Sequence, residues 1–191
     1  TNKSHKRNDF LGVPIPTSWI IDWRNFFAID ECIVQSNKLN FSRKIEPFLV
    51  PQMHNVPMPN VAPPFNSLPV LDFLRGYNLG LPSGQVVAQE MGFDPLSKKE
   101  IAQGLDRKVA RKLDFHKESP LLYYILKEAQ VQGDGKRLGE VGSRIVAEVF
   151  VGLLKADPES FLVQKPDWKP TLPSKQPDTF TMVDLLNFVG D

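Results

Sequence analysis

The chain has 191 residues, 41% hydrophobic and 24% charged, a composition that excludes global disorder and fits a globular protein. Lys and Arg number 23 against 22 Asp and Glu, a formal net charge of +1, so no whole-molecule field steers it onto nucleic acid or an acidic membrane, and any partner must be met by a local site. The one cysteine, Cys32, excludes a disulfide framework and a cysteine-based zinc site while leaving the redox compartment and the localisation open. The longest apolar stretch, Ile145 to Leu154, is interrupted by Glu148 and is far shorter than the ~20 residues of a membrane helix.

Residues 1–12 form a polar tail. It lacks an initiator Met and an apolar h-region, which reads as no signal peptide and as a chain that starts inside a longer protein. Trp19, Trp23, Phe26, Phe27 and Asp30 share one face of a helix expected over 18–30, after a Thr17 or Ser18 cap. Proline then interrupts. The 17 prolines make up about 9% of the chain against a typical ~5%. Clusters within Pro47–Pro69 and Pro166–Pro177 predict extended straps at 50–67 and 164–180. Leu68 to Asn78 is expected as a short, largely buried helix ended by Gly80 and Pro82, and Ser83 as the cap of a helix over 83–91. Ser97 with Glu100 makes a capping box for a short helix closed by Gly104. Ser119-Pro120 is a favoured N-cap and N1 pair for a helix over 119–131. A long helix over 139–155 places Ile145, Val149 and Leu153 on one face, with Val146, Phe150 and Leu154 beside them. Asp157-Pro158 starts a further turn, and Thr181 with Asp184 caps a helix over 181–189 stopped by Gly190. No strand pair is visible, so the fold class is all-α. Helices apolar on more than one face need more core than this chain supplies.

Few residues offer chemistry. His5, His54 and His116 stand apart, without HExxH or paired-His spacing, and read as solvated histidines, with His54 in the strap near enough to Met53 to meet a ligand held beneath it. No metal site is expected. The stretch GDGKRLGEVG fits no phosphate-loop spacing and reads as a loop and a helix start. In LPVLDFLRGYNLGLPSGQ, Asp72 and Arg75 interrupt an otherwise apolar helix, three residues apart. Either they pair with each other at the helix edge, or each meets a separate buried partner, a ligand carboxylate suiting the arginine fork.

The segment LDFLRGYNLGLPSG resembles the signature of the animal-type haem peroxidases, whose common pattern reads approximately LNxQRGRDHGLP, and its LRGxxLGLPSGQ wording is closer to the bacterial branch. PLLYYILKEAQ, RLGEVGSRIVAEVFVGLLKADPESFL, WKPTLP and FTMVDLLNFVG are similar, in order, to the carboxy-terminal run of that branch, and IPTSWIIDWRNFFAID to the stretch before its signature. The resemblance covers Val13 to Gly190. It implies the carboxy-terminal part of a helical peroxidase domain over 13–191. The parent would be an oxidoreductase that reduces hydrogen peroxide and oxidises a small reductant, as in a response to oxidative stress.

By the same resemblance Arg75 stands where an arginine reaches a haem propionate. Asp72 stands where an asparagine accepts a hydrogen bond from the proximal histidine. Aspartate departs from that pattern, as do Tyr77, Asn78 and Leu79 from the Arg-Asp-His that follows. The family's proximal and distal histidines lie upstream of the matched segments, so no catalytic residue falls in this chain. Haem is expected to bind weakly or not at all to the isolated chain, and the partner is the N-terminal remainder of the same protein. Two alternatives stand: a haem-free helical binding module on a peroxidase scaffold, and a dioxygenase-like relative acting on a fatty acid, for which Tyr123 and Tyr124 read as core aromatics.

Overall fold

The structure, a computed structural model, describes residues 21–29, 39–57 and 60–190. It is helical, with no strand among the described residues. The chain divides into two compact units, residues 43–166 and residues 1–42 with 167–191.

The unit 43–166 opens with a 3-10 turn at Pro51–His54 and continues through α1 (Leu68–Asn78), α2 (Gly84–Glu90), α3 (Lys98–Ile101), α4 (Arg107–Lys112), α5 (Leu121–Gly133), α6 (Glu140–Ala156) and α7 (Phe161–Gln164). Helix α5 is the hub, packed by α1, α2, α3 and α6. The core unites Ala88, Leu96, Ile101, Ala110, Tyr123, Tyr124 and Val141. A Cβ on Gly84 would sit 2.0 Å from Cγ of Tyr124, so α2 starts directly against that ring, an approach only glycine permits. The Tyr124 hydroxyl accepts the Leu96 N–H at 2.9 Å, which pins the α2–α3 connection to α5.

Three ionisable or polar groups are buried beside this core with hydrogen-bond partners: Lys127, Tyr123 and Glu128. Nζ of Lys127 donates to Asp106 Oδ1 at 2.8 Å, to the Gln103 carbonyl at 2.6 Å and to Gln130 Oε1 at 3.0 Å. The Tyr123 hydroxyl donates to the other Asp106 oxygen at 2.5 Å, and burial first, then this bond, raises its pKa far above the usual phenol range. The Glu128 carboxylate accepts the N–H groups of Val141 and Gly142, each at 3.2 Å. These are orphan donors of the first turn of α6, capped from a neighbouring helix.

In the unit of residues 1–42 and 167–191, a 3-10 turn at Trp23–Asn25 is capped by Asp22, and α8 (Met182–Val189) carries a full capping box between Thr181 and Asp184. Bonds from Thr181 and Lys175 hold the Asp184 carboxyl below its usual pKa. Gly190 ends α8 at a φ of 82°, a left-handed position that suits glycine.

Several sequence expectations need correction. Only Trp23–Asn25 is helical between residues 21 and 29, because Asp22 caps a tight turn and Phe26–Phe27 leave it; 18–20 and 30 lie outside the described residues, as do the 1–12 tail, His5 and Cys32. Helix α1 is not largely buried: Phe73, Leu74 and Tyr77 are exposed, since α5 and the 3-10 turn cover only part of it. Helix α5 begins at Leu121, and Ser119 does not cap it, because its hydroxyl donates instead to the Phe115 carbonyl at 2.6 Å. The turn expected from Asp157 is present, its carbonyl accepting the Ser160 N–H at 3.1 Å, and α7 follows it from Phe161. Helix α4 was unforeseen.

Candidate functional site

Helix α1 and the loop that follows it face the segment entering α5, and between them lies a cavity of about 660 Å³. From α1 come Asp72, Phe73, Arg75 and Tyr77; Leu79, Leu81 and Ser83 follow, and the far wall is Phe115, Glu118, Ser119, Leu121 and Leu122. Its size and apolar lining with a few polar groups suit a small-molecule site.

The local sequence explains the shape. Gly80, at a φ of 62°, turns the chain back after α1, and the Leu81 N–H donates to the Gly76 carbonyl at 3.0 Å, folding Leu81 and Pro82 across the helix end. The Ser83 hydroxyl then accepts the Val86 N–H at 3.4 Å to start α2. On the far wall Gln85 acts as a clamp. Its amide donates to the Phe115 carbonyl at 3.1 Å and to Ser119 Oγ at 3.2 Å, and its oxygen accepts the Ser119 N–H at 2.9 Å. The Phe115 ring packs against Tyr123, tilted by 52° with centroids 4.7 Å apart, so this wall is fixed to the core.

Asp72 and Arg75 both line the cavity. They do not form the i,i+3 ion pair that their spacing allows, and no salt bridge engages either one among the described residues. Both are exposed rather than buried. An arginine unpaired at an apolar cavity is a ready partner for a carboxylate or another anion.

The described histidines lie elsewhere. His54 Nδ1 is 3.5 Å from Ser67 Oγ. His116 follows Phe115, but its Nε2 lies 3.8 Å from Asp114 Oδ1 and its buried Nδ1 has no hydrogen-bond partner; neither histidine lines the cavity. Among the described residues no group of three or more His, Cys, Asp or Glu side chains is placed to hold a metal ion. Tyr123 and Tyr124 are buried in the core, and Asp106 and Leu96 engage their hydroxyls.

Sequence reasoning picked out Asp72 and Arg75 but missed the far wall. Glu118, Leu121 and Leu122 read there as an ordinary helix start, and only the Phe115–Ser119–Gln85 clamp, invisible before folding, turns them toward α1. No protein-family model, curated protein or solved structure matches this chain.

Proposed function

We propose that this chain is the proximal wall of a haem-dependent peroxidase domain, with the axial histidine and the peroxide-cleaving residues supplied by the N-terminal remainder of a longer parent. The observation that carries this reading is the unpaired Arg75 at the edge of an apolar cavity that Asp72 also lines. The residues fit the periphery of a haem. Phe73, Leu79, Leu81, Phe115 and Leu121 offer apolar walls, and Arg75 offers charge-assisted bonds to a propionate. Haem, when bound, supplies the redox chemistry that reduces hydrogen peroxide and oxidises a small reductant.

The chain's own contribution is binding and tuning. Arg75 fixes the carboxylate edge of the cofactor. Asp72 would accept the N–H of an imidazole brought by the remainder, and a carboxylate acceptor there would increase the imidazole's anionic character, which favours oxidised iron. The test uses the full-length parent. Arg75→Ala is expected to lower haem occupancy, while Asp72→Asn retains haem but raises the iron's reduction potential, read by spectroelectrochemistry. Unchanged occupancy and potential in both variants would contradict the assignment.

A second reading has one observation in its favour: no described histidine lines the cavity. In that reading the chain is a haem-free binding module that takes an apolar anion through Arg75. Haem content of the purified parent separates the two.

A further inference from the structure

We propose that the region of α4 is an interfacial contact for a bilayer containing anionic phospholipid. This inference is independent of the haem reading. Val109 and Leu113 lie one turn apart on one face of α4, Leu105 precedes the helix in the turn that leads into it, and the three are 55%, 53% and 90% exposed. The side of the segment that adjoins them is already committed to the core: Ala110 is buried, and Asp106 is held by Lys127 and Tyr123. The helix therefore cannot roll to hide them without breaking a buried ion pair.

The cations around it are the second observation. Arg107, Lys108, Arg111 and Lys112 are exposed, and none has a salt bridge among the described residues. Asp114, the nearest acidic residue along the chain after α4, is engaged by Lys117 at 3.1 Å and approached by His116. Lys108 and Lys112 immediately precede Val109 and Leu113. Their long stems can lie along the aliphatic groups while the ammonium ends stay at the phosphate level. Aliphatic side chains lowered into the acyl boundary, flanked by free cations, are the chemistry of an interfacial helix on an acidic leaflet. Nucleic acid would use the cations but gain nothing from three aliphatic groups, and the segment 105–113 has no aromatic side chain for base stacking.

Sedimentation of the full chain with sucrose-loaded vesicles tests this. The chain is expected to bind vesicles of phosphatidylcholine with phosphatidylglycerol and not those of phosphatidylcholine alone. Binding should weaken as salt rises from about 0.1 to about 1 M, where the screening length falls from about 10 to about 3 Å. Lys108→Gln with Lys112→Gln should lower partitioning about 25-fold, about fivefold for each charge. Leu105→Gln, at a site too exposed to affect the fold, should lower it at unchanged charge. Circular dichroism and melting of each variant verify folding. The proposal is overturned if the chain binds neither vesicle or both alike, or if the lysine variant partitions as the parent chain does. Loss in the lysine variant with full binding by Leu105→Gln would mark a purely electrostatic contact and overturn it too. So would a dimer of the unaltered chain that Leu105→Gln dissociates, since a second copy would then cover these aliphatic groups.

Discussion

Lys127 and Asp106 form an ion pair at 2.8 Å in which the lysine is 0% exposed. The pair joins the middle of α5 to the residue just before α4, and Tyr123 shares the same carboxylate. Removing one partner leaves a buried charge uncompensated, which costs about 3–5 kcal/mol. Lys127→Met is therefore expected to lower the unfolding free energy by that amount in urea titrations. A loss below about 1 kcal/mol would show that Asp106 finds another partner.

Glu128 makes stability depend on pH in a defined direction. Burial raises its carboxyl pKa, and bonds from Gly142 and Val141 offset this only in part. With the folded value above the unfolded one, the folded state binds the proton more tightly. The contribution is thus fully present below the ordinary glutamate pKa, ~4.3, and is lost as pH rises through the raised folded value. Glu128→Gln keeps an acceptor for α6 and removes the titration. Its melting temperature should gain on the unaltered chain as pH rises from about 4 to about 8. Parallel pH profiles would contradict this assignment.

Two glycines should respond oppositely to alanine. At Gly84 the new Cβ would lie 2.0 Å from Tyr124 Cγ, and such overpacking costs about 1–3 kcal/mol. Gly152 lies inside α6 with nothing within 4 Å of its would-be Cβ, so Gly152→Ala should stabilise by roughly 0.5–1 kcal/mol. Thermal melts of both variants check the pair, and a shift of the same sign would contradict the packing described.

Punctuation made much of the fold legible. The capping box at Ser97–Glu100, the capped start of α8 at Thr181 and the start of α2 after Ser83 are present as expected, because a cap is a local interaction that needs no tertiary partner. Long-range bonds were illegible. Lys127, Glu128 and Asp106 look like surface charges in sequence, and only α5's position as hub buries them. Helix α4 escaped because RKVARK has too few apolar residues for a period; its buried contact is the single Ala110. Asp72 and Arg75 were legible as charges in an apolar helix, but their failure to pair with each other was not.

The proposed role of Arg75 is to receive a carboxylate of an apolar cofactor in this cavity. Titration of the chain with protoporphyrin IX and with its dimethyl ester, on the unaltered chain and on Arg75→Gln, tests it most directly. A weak complex with the free acid is expected, weakened about tenfold or more by the substitution, as for a lost hydrogen bond to a charged group at about 1.5–3 kcal/mol. The ester should bind both chains alike. Equal affinity of the two chains for the free acid would contradict the assignment of Arg75.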